Sequence, residues 1–249
     1  KFRVLGGDPF VPAMSPSSTD RRNFLKTTGL GLAAPLVLPS IARADPPMKN
    51  GRLQHACIGV NGMMGETDLR SFLSHKDTDV VAICDVDQHH LEAAKKIAPN
   101  ARTYTDWREM LEKEGDRIDS VNATVPDHMH AAIAMSAMRA GKHVYCQKPM
   151  CHDVAEVRAL TLMAAKTGLV TQLGTQHASG VGDRTAVQWL RDGLIGKIKH
   201  VYLCSNRSGI GAYRFADPPL KPGPAPQHLD WDKWLGTAPV REYAPEFYH

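Results

Sequence analysis

The chain has 249 residues, 43% hydrophobic and 22% charged, ordinary globular proportions that exclude wholesale disorder and leave room for one complete domain and part of another. The formal net charge of +4 resides in residues 1–44, where Lys1, Arg3, Arg21, Arg22, Lys26 and Arg43 face only Asp8 and Asp20. The remainder is balanced, without a Lys/Arg run, and so carries no electrostatic footprint for a nucleic-acid partner.

Residues 1–44 read as a leader. Asp20-Arg21-Arg22-Asn23-Phe24-Leu25-Lys26 precedes an apolar stretch from Thr27 to Leu38, and Ala42-Arg43-Ala44 follows it. Charged segment, short apolar segment and small-x-small site stand in the order of a secretory signal. The stretch is shorter than the about 20 residues that span a bilayer, so no membrane partner is expected once the signal is removed. The paired arginines resemble a twin-arginine signal, which implies bacterial export in folded form to the periplasm or beyond. Residues 1–13 precede Met14, and the mature chain is expected to begin near Asp45.

From Leu53 onward strands and helices alternate. Strands are expected at Leu53–Val60, Val80–Cys84, Arg102–Tyr104, Ser120–Thr124, His143–Cys146 and Leu169–Leu173. Helices are expected at Glu66–Ser74, Gln88–Ile97, Trp107–Glu114, His130–Ala140 and Val154–Thr167. The alternation, with apolar strands and glycine stops, predicts an α/β fold: a doubly wound parallel sheet covered by helices on both faces, over residues 45–177. A helix from Asp183 to Leu194 leads to an alternating strand, Ile198–Ser205, and then to a segment rich in proline and aromatics. Residues 178–249 therefore read as the start of a second, incomplete domain. A lone strand does not make a stable sheet, so the chain reads as truncated at its C-terminus. The five cysteines, Cys57, Cys84, Cys146, Cys151 and Cys204, are odd in number and lack a Cys-x-x-Cys pair; they read as free thiols, the first two in buried strands.

The chemistry concentrates at strand ends. Ile58-Gly59-Val60-Asn61-Gly62-Met63-Met64-Gly65 joins the first strand to the first helix. A dinucleotide site needs glycine there for the tight turn, for approach to the pyrophosphate and for packing helix on strand. The Gly-x-Gly-x-x-Gly fingerprint is not matched: from Gly59 the later positions hold Asn61 and Met64, and back from Gly65 they hold Gly62 and Val60. Asn tolerates positive φ, so Asn61 is a candidate for a glycine conformation. Asp85 closes the second strand 26 residues after Gly59, near the spacing at which a carboxylate meets the adenosine ribose. It favours NAD over NADP, with Asp87 as its competitor and a helix-cap role as its alternative.

Two further stretches carry a family resemblance. Ala123-Thr124-Val125-Pro126-Asp127-His128-Met129-His130 and Gly141-Lys142-His143-Val144-Tyr145-Cys146-Gln147-Lys148-Pro149-Met150 resemble the Gfo/Idh/MocA family, as do Tyr104-Thr105-Asp106-Trp107, Gln172-Leu173-Gly174-Thr175-Gln176 and Asp230-Trp231-Asp232-Lys233-Trp234. The resemblance implies a nicotinamide-dependent oxidoreductase acting on a sugar or cyclic polyol, with NAD or NADP as cofactor and a homo-oligomeric full-length protein. It implies Lys148 as the catalytic lysine, since hydride loss from a carbinol carbon needs the hydroxyl proton removed or the alkoxide stabilised. Gln147 stands where the family carries Glu. Cofactor-facing positions are Gly59, Asn61, Gly62, Gly65, Asp85, Thr124, Pro126, His130, Gln147 and Gln176, with His177 beside the last. The resemblance also implies that residues 178–249 begin an α+β domain with an open, mostly antiparallel sheet, an Asp and a His beyond residue 249, and a cis bond before Pro149. No metal is expected; Asp127, His128 and His130 are the alternative, as zinc ligands. Asn206 and Arg207 are candidates to line a polar cleft. Two rival functions remain: a glycosidase or lyase using transient sugar oxidation with no net redox, and a dinucleotide-binding module without activity.

Overall fold

The computed structural model describes residues 51–203 and 222–245; the leader, Cys204, Asn206 and Arg207 lie outside them. Six strands form one parallel sheet: β1 (Leu53–Ile58), β2 (Thr78–Cys84), β3 (Arg102–Tyr104), β4 (Ser120–Ala123), β5 (His143–Gln147) and β6 (Thr171–Gly174), in spatial order β3-β2-β1-β4-β5-β6. The chain moves outward from β1 to one edge, then crosses back to build the other. The switch point therefore lies between β1 and β4, where doubly wound sheets bind ligands at the carboxyl ends of their strands.

Strands buried on both faces must be apolar on both. In β1, Ala56 and Ile58 enter one core cluster and Cys57 the other. The first cluster is completed by helices α3 (Trp107–Glu114), α4 (Asp127–Arg139) and α5 (Val154–Thr167), through Met110, Met129, Ile133 and Leu160. The second is completed by α1 (Gly62–Ser74) and α2 (Gln88–Ile97), through Leu69, Leu91 and Ala94. Leu69, Ile83, Met110 and Ile133 are fully buried, each contributing roughly 1.5–3 kcal/mol. Cys57, Cys84, Cys146 and Cys151 are free thiols within this core. Burial pushes the Cys146 thiol up to about 12 and that of Cys151 up to about 11.

Two helices begin a turn earlier than their apolar periodicity suggests. α1 starts at Gly62, and α4 starts at Asp127 directly after Pro126; both first turns line a cleft and need no apolar face. Beyond β6, the chain forms a short 3-10 turn (Gln176–Ser179) and helix α6 (Val181–Arg191), none of whose residues is buried. The strand expected at Ile198–Ser205 is not formed over residues 198–203. Val201, Tyr202 and Leu203 are 80–97% exposed, and no described strand lies beside them to accept a ladder.

Residues 222–245 return to the sheet. They carry a short helix, α7 (Trp231–Leu235), capped by Asp230, whose side chain accepts the Lys233 N–H at 3.1 Å. Backbone bonds from Gln88 N–H to His228 O (2.8 Å) and from Asp230 N–H to Val86 O (3.0 Å) fasten the segment to the turn after β2. Leu229, Leu235 and Ala244 are buried by the docking. Among the described residues no helix is long and apolar enough to cross a membrane.

Candidate active site

At the carboxyl ends of β1, β2, β4 and β5 lies a cleft of about 510 Å³. Its floor, between the β2 and β4 ends, is the turn between β1 and α1. Gly59 sits at φ +80°, and a Cβ there would lie 2.0 Å from the carbonyl oxygen of Thr124. At Gly65 a Cβ would meet the Val60 carbonyl carbon at 2.9 Å. These two glycines thus let β1 pack on the Thr124 strand end and α1 on the turn. Gly62, at φ +72°, meets nothing within 4 Å where its Cβ would point. Asn61, proposed from sequence for a glycine conformation, is instead extended at φ −135° and occupies the N-cap position of α1. The left-handed position falls to Gly62 because a true glycine is available one residue later. The functional spacing here is Gly59-x-x-Gly62-x-x-Gly65.

The N-terminus of α1 is left open. Asp87, Asp106 and Asp153 cap α2, α3 and α5 by accepting N–H groups at 2.6–2.9 Å, whereas Asn61 makes no side-chain cap bond and the first turn of α1 has no acidic residue. Unmade donors at a helix N-terminus with a glycine beside them suit a phosphate oxygen.

Asp85 adjoins this turn. Its Oδ2 accepts the Val60 N–H at 3.1 Å, and its Oδ1 accepts the Asp87 N–H at 3.1 Å and faces His90 Nδ1 at 3.3 Å. The hydrogen bond to Asp85 raises the His90 pKa above its ordinary value against the opposing effect of burial. The helix cap is Asp87, not Asp85. Asp87 also holds His228 Nδ1 at 3.0 Å. Asp87, His89 and His228 place possible ligand atoms within 4.8 Å of one another. The His89 and His228 rings stack at 3.9 Å, so their in-plane lone pairs run side by side and converge poorly on one ion.

The far end is built by β4 and β5. Thr124, Pro126, Gln147 and Lys148 all line it, as do His128, His130, Lys233 and Trp234. The Lys148–Pro149 bond is cis. Lys148 is exposed at the rim, while Gln147 is buried. His130, fully buried, faces Pro149 O with Nδ1 (2.6 Å) and Val125 O with Nε2 (2.8 Å). It therefore braces α4 against the Lys148-Pro149 turn, with neither ring nitrogen left for a ligand. His128 Nε2 is engaged by Trp234 O at 3.1 Å, so the zinc alternative at Asp127, His128 and His130 has no convergent donor set.

Of the sequence-derived positions, Gly59, Asn61, Gly62, Gly65, Asp85, Thr124, Pro126, His130, Gln147 and Lys148 come together in this cleft. Gln176 does not line it; it begins the exposed turn beyond β6, with His177 next to it. Sequence reasoning missed Asp68, His90, Lys233 and Trp234. Asp68 carried one signal: an acid three residues after Gly65, on the side of α1 that Leu69 takes into the core.

Strand order, glycine turn, open helix terminus and Asp85 define a dinucleotide-binding domain of the Rossmann type. Residues 53–175 match the model of the Gfo/Idh/MocA oxidoreductase family, NAD-binding Rossmann fold. The chain is 29% identical over 200 residues to a glycosyl hydrolase family 109 protein of Stenotrophomonas maltophilia, covering 73% of this chain and 41% of that protein. It superposes on the crystal structure of myo-inositol 2-dehydrogenase from Lactobacillus plantarum with a TM-score of 0.55 and 30% identity, over 59% of this chain and 43% of that one. Scyllo-inositol dehydrogenase from Lactobacillus casei, solved with NAD(H) and scyllo-inositol bound, gives a TM-score of 0.54 at 25% identity, over 58% and 42% of the two chains. The chain spans less than half the length of these relatives.

Proposed function

We propose that the cleft holds a nicotinamide dinucleotide and that the protein moves a hydride between it and a hydroxyl-bearing carbon of a sugar or cyclic polyol. The observation that carries this reading is the order of groups across the strand ends of one cleft: Asp85 after β2, the open α1 N-terminus after β1, and Lys148 after β5 at the other end. The residues fit the group. Gly62 leaves the space a phosphate oxygen requires, and Asp85 offers carboxylate oxygens to ribose hydroxyls while repelling a 2'-phosphate, which favours NAD over NADP. Bound NAD supplies the hydride acceptor. Lys148, at the rim, accepts the hydroxyl proton at Nζ or stabilises the developing alkoxide. Trp234 and His128 wall the cleft beside it and limit water.

A second reading is favoured by the glycosyl hydrolase family 109 relative, whose match extends over 73% of the chain: transient oxidation and re-reduction of a glycoside with no net redox. Incubation with NAD and a panel of free sugars, inositols and glycosides separates the two. Net NADH formation from free sugars or polyols supports the dehydrogenase, and glycoside cleavage without NADH supports the rival. Turnover unchanged in Lys148→Ala would remove the lysine from either mechanism. The proposal extends to export in folded form, from the Arg21-Arg22 leader, and to a homo-oligomer.

A further inference from the structure

Behind the Lys148 end of the cleft runs a chain of buried polar groups that the proposed reaction does not use directly. Ser120 Oγ stands 2.7 Å from His55 Nδ1, and His55 Nε2 stands 3.1 Å from Asn122 Oδ1. Asn122 Nδ2 donates to Thr124 Oγ1 at 2.7 Å, and Thr124 Oγ1 donates to Asp68 Oδ2 at 2.7 Å. From the other side, Gln147 Nε2 donates to the same Asp68 oxygen at 2.9 Å, while Gln147 Oε1 accepts the Lys148 N–H at 3.1 Å. A carboxylate only accepts, so every direction is fixed: Ser120 to His55 to Asn122 to Thr124 to Asp68, and Lys148 to Gln147 to Asp68. All these groups are buried except Lys148, and Asp68 is 4% exposed.

Asp68 is thus the acidic terminus of both branches. It touches the cleft only through Thr124 and Gln147, the two side chains that line its inner end. Gly174 of β6 closes the other side of the Gln147 amide, since a Cβ there would lie 2.9 Å from the amide carbon. The amide cannot turn over without losing both of its bonds. A Glu at position 147 would instead place two carboxylates at hydrogen-bond distance, one of which must take up a proton. Glutamine at 147 and aspartate at 68 are a matched pair, with the single negative charge held on α1.

We propose that Asp68 is the positioning residue of the Lys148 end, holding Gln147 and the Lys148 backbone in place, and that its buried charge makes the cleft prefer the cationic, oxidised nicotinamide over the neutral reduced ring. This rests on the cofactor reading above, which leaves the Thr124–Gln147 end for the nicotinamide once the α1 terminus and Asp85 take the phosphates and ribose. A unit charge within about 10 Å at an effective dielectric of about 20 shifts the relative affinity for the two redox forms by about tenfold.

The test is the pair of dissociation constants for NAD+ and NADH, measured by calorimetry and by NADH fluorescence, in the wild type, Asp68→Asn, Gln147→Glu and the double exchange Asp68→Asn/Gln147→Glu. Asp68→Asn is expected to weaken NAD+ about tenfold more than NADH. Gln147→Glu is expected to lose thermal stability, and the double exchange, which moves the charge across one hydrogen bond, to recover both the stability and the wild-type ratio. A purely structural role would shift both constants by the same factor, and that result would overturn the charge assignment while leaving the cofactor reading intact. A folded wild type that binds neither form overturns the cofactor reading and this inference with it. Where Asp68→Asn does not fold, the double exchange decides: a folded double variant with the wild-type ratio supports the proposal, and one that fails or keeps an altered ratio defeats it.

Discussion

The Asp85 carboxylate accepts the backbone N–H of Val60 at 3.1 Å, so the residue proposed to meet the ribose also fixes the turn proposed to meet the phosphates. Hydrogen bonds to a charged partner contribute about 1.5–3 kcal/mol. Asp85→Asn keeps the shape and one acceptor but removes the charge. It is expected to weaken NADH binding at least about tenfold and to narrow the preference over NADPH, because the repulsion of a 2'-phosphate goes with the charge. Fluorescence titration with both nucleotides checks this, and an unaltered NADH to NADPH ratio would count against the ribose role.

Two glycines of the turn, Gly59 and Gly62, separate stability from binding. In Gly59→Ala the new methyl collides with the Thr124 carbonyl at 2.0 Å, and the Thr124 N–H to Ile58 O bond of 2.8 Å holds that carbonyl in the sheet. The cost is expected to be about 3 kcal/mol or more in urea unfolding. Gly62→Ala has open space and bears only the left-handed backbone penalty of about 1–2 kcal/mol, yet its methyl projects into the cleft. It should lose less stability than Gly59→Ala and bind NADH markedly less well.

His55 predicts an acid limb. Burial lowers its pKa to about 4 from 6.5, against the opposing hydrogen bond to Asn122. The folded state holds the imidazole neutral while the unfolded chain takes up a proton, so this contribution is fully present above pH 6.5, falls as the pH drops and levels off below about 4. The loss amounts to roughly 3 kcal/mol. His55→Gln, which keeps both a donor and an acceptor, should flatten that limb in denaturation curves taken from pH 7.5 to 4.

Most of this site stood in the sequence because it lies at strand ends, where apolar runs stop and glycine, aspartate and proline follow. Asp85 and Lys148 each close such a run. Asn61 misled because side-chain tolerance of positive φ does not say which of two neighbours adopts it; the structure gives that conformation to Gly62. Asp68 was hidden because it lies inside a helix, and its partners Thr124 and Gln147 are 56 and 79 residues away. The alternation of Ile198–Leu203 was a true local pattern without a strand beside it among the described residues, and a strand is defined by its neighbour.

The return of residues 222–245 was the least legible contact, and what holds it is testable. His228 reaches Asp87 at 3.0 Å from a side chain that is 30% exposed, and Asp87, 2% exposed, also accepts the His89 N–H at 2.8 Å and so keeps a partner without it. The backbone bonds from Gln88 and Asp230 persist whatever side chain stands at 228. Leu235, 4% exposed, sits beside Trp234, whose carbonyl receives His128 and whose ring wall belongs to the cleft. Leu235→Ala is therefore expected to cost about 2–4 kcal/mol in docking this segment and to weaken NADH binding, while His228→Ala changes either by little. If His228→Ala proves the more damaging of the two, the segment is held by charge at the β2 turn rather than by burial beneath α7.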